Sequence, residues 1–146
     1  MPLTKTIAMI LLMAFIPLIQ GGRVVFYNQR NFGGLPYVVL LSEWQVCVTI
    51  QACHDNKPLS VKWNRLPTTS TTRLVFYSGP RCTEYGRDFE MSFNQDDNYL
   101  TDFSNIGLGG KVSSLMITES TTRIDKFENA SCLVNAWLEN NKNSTA

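Results

Sequence analysis

One five-residue word occurs twice in this chain, and it limits the folds available. Arg23-Val-Val-Phe-Tyr27 and Arg73-Leu-Val-Phe-Tyr77 stand fifty residues apart. Ser60-Val-Lys-Trp63 and Ser114-Leu-Met-Ile117 stand fifty-four apart and close the two units. Both words are rich in β-branched and aromatic residues, the composition of a short strand. A repeat of about fifty residues built from such strands predicts a duplicated all-β unit. Neither copy alone covers both faces of its own sheet, so the two are expected to share one core.

The stretches between the repeated words carry further strands. Tyr37-Val-Val-Leu-Leu41 is one. Glu43 to Gln51 alternates, with Trp44, Val46, Val48 and Ile50 on one face and Gln45, Cys47, Thr49 and Gln51 on the other, as in a half-buried strand. Asp88 to Phe93 alternates weakly, and Val112 to Ile117 follows the turn Gly107-Leu-Gly-Gly110. Pro67 to Thr72 reads as a polar connector and Ser78-Gly-Pro80 as a turn. Many short strands punctuated in this way predict an antiparallel sandwich or barrel. The organisation expected is a first motif over 22–66, a second over 73–118, and an extension over 119–146.

The segment Tyr27-Asn-Gln-Arg-Asn-Phe32-Gly-Gly34 has an aromatic, four residues, an aromatic, any residue, then glycine. It resembles the signature of the βγ-crystallin Greek-key motif, and the likeness extends over about residues 22–118. The resemblance implies a two-Greek-key sandwich, a folded hairpin at Tyr27–Gly34, and a glycine at 34 because the chain takes a positive φ there. In the second copy Cys82 and Glu84 stand where the aromatic and glycine belong. The family also ends each motif with two Asn or Asp, two variable residues, Ser or Thr, then Ser, a calcium-binding stretch. Asp55-Asn56-Lys57-Pro58-Leu59-Ser60 fits except at Leu59. Gly109-Gly-Lys-Val-Ser113-Ser114 keeps both serines and lacks both Asn/Asp positions. The resemblance implies a side-chain oxygen from the fifth position and backbone oxygens from both motifs. Leu59 has no oxygen to give, Lys111 adds positive charge, and calcium takes six to eight oxygens. Calcium is therefore expected to be absent or bound only at millimolar concentration, and no other cofactor is indicated. Ser60, Ser113 and Ser114 are expected to bond nearby backbone instead.

Residues 1–21 read as a secretory leader. Lys5 is the sole charge before Arg23, Ile7 to Ile16 is apolar throughout, and Pro17 then Gly21 follow. The run is shorter than the roughly 20 residues a membrane span needs. Without the leader the chain has twelve basic and twelve acidic residues. That balance disfavours nucleic acid as a partner and attraction to anionic membranes.

Export gives the four cysteines, Cys47, Cys53, Cys82 and Cys132, the reading of two disulfides. Along one extended strand Cys47 and Cys53 are roughly 20 Å apart, too far to bridge. Unless the chain turns between them, each pairs with Cys82 or Cys132, in an order the spacing leaves open. Asn129-Ala-Ser131 and Asn143-Ser-Thr145 fit the N-glycosylation pattern. In the extension, Ser131 is placed to cap a short helix carrying Leu133 and Trp137. Residues 140–146 are expected to be disordered.

Catalytic chemistry is sparse. His54 is the single histidine, and its neighbour Cys53 is required for a disulfide. There is no Gly-x-Ser-x-Gly elbow, no P-loop and no zinc spacing. Glu90, Asp96, Asp97 and Asp102 form an acidic cluster that reads as a solvated loop before a glycosidase pair. Trp44 and Trp63 read as core. The sequence thus predicts a secreted, non-enzymatic module for an unspecified extracellular protein or cell-surface ligand, its oligomeric state open. A secreted toxin of the killer-toxin-like kind and a protease inhibitor, both implied by the resemblance, are the alternatives.

Overall fold

The computed structural model describes residues 21–91, 98–121 and 123–132. The expected leader before Gly21, the tail helix beyond Cys132, Asn143, and Asp96 with Asp97 lie outside the described residues.

Nine strands are described: β1 (Gly22–Tyr27), β2 (Pro36–Leu41), β3 (Val46–Thr49), β4 (Ser60–Asn64), β5 (Arg73–Gly79), β6 (Thr83–Glu90), β7 (Asn98–Leu100), β8 (Ser114–Thr118) and β9 (Lys126–Asn129). They form a four-stranded sheet A in the order β2-β1-β4-β7 and a five-stranded sheet B in the order β6-β5-β8-β3-β9. Each motif keeps its first, second and fourth strands together and sends its third strand to the other sheet. β3 pairs with β8, and β7 pairs with β4. This reciprocal exchange makes the molecule a two-Greek-key sandwich, with one core belonging to both motifs.

The repeated word explains where that core sits. In β1, Val24 and Phe26 point inward; in β5, Leu74 and Phe76 do the same. Phe26 and Phe76, the same letter of the two copies, meet edge to face at 5.8 Å between ring centres. Phe103 stacks 6.3 Å from Phe26 and stands edge-on to Phe76 at 5.2 Å. Trp63 packs at 5.9 Å on Phe76 and is 4% exposed, in the core as its strand position predicts. Rings arranged in this way add about 0.5–1.5 kcal/mol per pair beyond the area they bury.

Three expectations need correcting. The strand expected over Glu43–Gln51 is only Val46–Thr49, because Gln45 takes φ 59° and turns the chain. That turn swings Trp44 off the apolar face. It is 39% exposed and donates its Nε1–H to the Pro67 carbonyl at 3.0 Å. β6 is longer and earlier than the weak signal at Asp88–Phe93. In its described part the extension contributes β9, which adds to sheet B parallel to β3, with Cys47 opposite Phe127. All four β9 side chains are exposed, so no alternation marks it in the sequence.

Candidate functional site

The chemistry singled out by the sequence falls at two hairpin corners and at the seam between the motifs. In the first corner Tyr27 and Phe32 meet at 5.7 Å, 65° apart in plane, and Gly34 takes φ 81°. Ser60, fully buried at the end of the motif, locks this corner. Its Oγ donates to the Gln29 carbonyl at 2.6 Å and accepts the Phe32 N–H at 2.9 Å.

The second corner repeats this geometry with different residues. Ser114 Oγ donates to the Gly79 carbonyl at 2.6 Å and accepts the Cys82 N–H at 2.9 Å. Gln29 and Gly79, and Phe32 and Cys82, are each fifty positions apart, and the left-handed turn recurs. Asn31 (φ 53°) and Phe32 (φ 63°) correspond to Arg81 (φ 57°) and Cys82 (φ 56°), and Gly34 corresponds to Glu84 (φ 63°). The aromatic missing from this corner is replaced by a covalent bond, because Cys82 is joined to Cys47 on β3.

The second disulfide joins Cys53 to Cys132. Cys47 and Cys53 do not pair, as expected, although the single extended strand assumed between them is absent. The chain turns after β3, where the His54 and Asp55 amides both donate to the Gln51 carbonyl at 2.9 and 2.8 Å.

Asp55 and its neighbours lie on the motif seam, which is also two-fold. The Asn56 N–H donates to the Val112 carbonyl at 3.2 Å, and the Gly110 N–H to the Pro58 carbonyl at 3.3 Å. Ser113 Oγ donates to Asn56 Oδ1 at 3.2 Å. At the equivalent position, beside the Gly110–Pro58 bond, Leu59 and Gly110 stand in place of Ser113 and Asn56, neither with a side-chain oxygen. Asp55 Oδ2 accepts from Asn56 Nδ2 at 3.2 Å, while its buried Oδ1 has no hydrogen-bond partner. Lys57 points its ammonium at the Cys53 carbonyl, 2.6 Å away. One seam position thus offers a carboxamide and a hydroxyl already bonded to each other, and the other offers no side-chain oxygen. Side chains at these two positions alone therefore supply fewer than the six to eight oxygens calcium takes.

The remaining candidates have structural partners. The His54 ring stacks on Tyr37 at 4.0 Å; burial and then the Lys57 charge hold its pKa below the ordinary imidazole value. Asp102 caps the short helix Phe103–Ile106 through the Ser104 N–H at 2.8 Å and pairs with Arg30 at 2.8 Å. Those contacts, the Ser104 amide foremost, hold its carboxyl below the usual range. Glu90 bonds Arg73 on sheet B, so Glu90 and Asp102 each have an arginine partner of their own. Asn129 is exposed on β9.

Gln45 escaped the sequence reading. Its side chain is buried, its Nε2 donates to the Thr121 carbonyl at 3.0 Å and to the Arg123 carbonyl, and its Oε1 accepts the Glu119 N–H at 2.9 Å. It pins the crossover from β8 to β9. A glutamine bonding to main chain leaves no pattern that would have found it.

The chain is similar in fold to several βγ-crystallin domains. It has 18% identity to one from an archaeon, covering 66% of this chain and 98% of that one, with a TM-score of 0.45. It has 19% identity to the βγ-crystallin domain of Abundant Perithecial Protein from Neurospora crassa in its Ca2+-bound form, covering 73% and 99%, with a TM-score of 0.45. It has 17% identity to a domain from Clostridium beijerinckii, covering 67% and 98%, with a TM-score of 0.43. No protein-family model and no curated protein matches the sequence.

Proposed function

We propose that this protein is a secreted, non-enzymatic βγ-crystallin-like module that serves in binding or structure, stabilised by disulfides and with degenerate calcium sites. The observation that carries this reading is the second corner, where a Cys47–Cys82 bond stands in place of an aromatic contact. The two disulfides suit an oxidising compartment. No described helix is long and apolar enough to cross a membrane. The groups with catalytic character, His54, Glu90 and Asp102, are each engaged in stacking or ion pairing. Asn129 is the proposed glycan acceptor among the described residues.

Calorimetric titration of calcium into the disulfide-bonded protein, with thermal melts in calcium and in chelator, tests the reading. The expected result is no heat at micromolar calcium and superimposable melts. Saturable micromolar heat with a raised melting temperature, lost in Asp55→Asn, refutes it and makes the unpartnered Asp55 oxygen a ligand.

A further inference from the structure

The outer face of sheet B carries a cleft. Its volume is about 490 Å3, inside the roughly 300–1,000 Å3 typical of small-molecule sites. β5 and β6 form its floor, and Thr118–Thr121 of the crossover forms one wall. Tyr77 lies across the chain from Gly86, its direct partner on β6. A Cβ at residue 86 would stand 3.0 Å from Tyr77 Cδ1 and Cε1, so glycine there lets the ring lie along the sheet. Next to it Arg73 bridges Asp88 and Glu90, the latter at 2.8 Å.

We infer that this cleft binds a neutral saccharide, with the Tyr77 ring as its platform and Asp88 as its principal polar contact. A pyranose offers an apolar C–H face and a rim of hydroxyl donors and acceptors. An aromatic ring meets the first; fixed carboxylate and guanidinium groups meet the second. The cleft's charge disfavours an anion, because Arg73 is already bonded to two carboxylates and Glu119 lines the wall. Acceptors therefore dominate, and hydroxyl groups are what they bond. The wall is preformed, since Gln45 holds Glu119, Thr121 and Arg123 from behind, which lowers the ordering cost of binding. The inference rests on the reading of the protein as an extracellular binding module and names the chemistry of its ligand.

The test is amide chemical-shift mapping of the full disulfide-bonded protein during titration with cellobiose, lactose, maltose and N,N′-diacetylchitobiose. At least one disaccharide is expected to shift Tyr77, Gly86, Asp88 and Thr118 saturably. Tyr77→Ala is expected to weaken that binding about tenfold, the order of a lost aromatic contact. Asp88→Asn keeps the shape of the floor and is expected to weaken it by at least about threefold, the difference between a hydrogen bond to a charged acceptor and one to a neutral acceptor. It carries the test if Tyr77→Ala does not fold. Silence from all four sugars, shifts elsewhere on the surface, or unchanged affinity in Asp88→Asn overturns the inference. None of these alters the calcium titration, and micromolar calcium heat would refute the module reading without moving the cleft shifts.

Discussion

Replacing Ser114 with alanine deletes two hydrogen bonds with one oxygen. The hydroxyl is fully buried, donates to the Gly79 carbonyl and accepts the Cys82 N–H. Each bond is worth about 1 kcal/mol net, and an orphaned buried carbonyl adds about another, so the loss is about 2–4 kcal/mol. Ser60→Ala removes the matching pair at the first corner, where both bonds are only part-buried, and about 1–3 kcal/mol is expected. Ser113→Ala, one residue from Ser114, deletes a single bond to the exposed Asn56, and about 0.5 kcal/mol is expected. Urea unfolding of the three oxidised variants, with equal m-values, gives the ranking directly. The corner-lock argument fails if Ser113→Ala costs as much as Ser114→Ala, or if Ser114→Ala costs under about 0.5 kcal/mol.

Three further outcomes follow from the same geometry. The disulfides close loops of 35 and 79 residues, for which loop-closure entropy gives about 4 kcal/mol each; reductant should lower the melting temperature sharply, and an unchanged melt would mean the bonds are not formed. Gly34→Ala forces a side chain into φ 81° and against Asn28 Oδ1 and should cost about 1–2 kcal/mol, whereas Glu84→Gly relieves the exposed equivalent and should gain about 0.5 kcal/mol. Thermal melts of the pair check the two signs. Burial pushes the Tyr37 hydroxyl up from 10.0 to about 12. An acid whose neutral form is held in the fold contributes stability below its unfolded pKa, and this is lost as pH rises toward the folded value. Stability should therefore fall between about pH 10 and 12, and Tyr37→Phe should flatten that decline; an identical decline in the variant refutes the assignment.

The parts of the fold written in local pattern were legible. The repeated word placed Phe26 and Phe76, the glycine at 34 marked the first corner, and Leu59 announced a seam without its oxygen. What escaped depends on pairing between distant segments. β3 and β7 read as strands or as nothing; neither reveals that it belongs to the opposite sheet. β9 pairs through its backbone and buries no side chain, so composition is silent about it. Cysteine spacing ruled out Cys47 with Cys53 through a strand that in fact bends, and left two orders that only the fold separates. The Tyr77–Gly86 platform is a cross-strand pair, visible once the β5–β6 register is known.

The position of β3 has a consequence for how the chain is made. Synthesis delivers β1, β2 and β4 early, and these three can pair as soon as they emerge. β3 emerges among them, yet both its neighbours, β8 and β9, come from the last part of the described chain. For most of translation it is an apolar strand with two open edges, the condition that invites pairing with a wrong chain. The cysteines share the delay. Cys53 waits for Cys132, the last to appear, and during that interval Cys47, Cys82 and Cys53 are free to join in other combinations. Any early bond other than Cys47–Cys82 then has to be exchanged once the end of the chain arrives, a step of seconds to hours set by oxidant and isomerase. A polypeptide halted before Lys126 keeps its first sheet and remains open along the second.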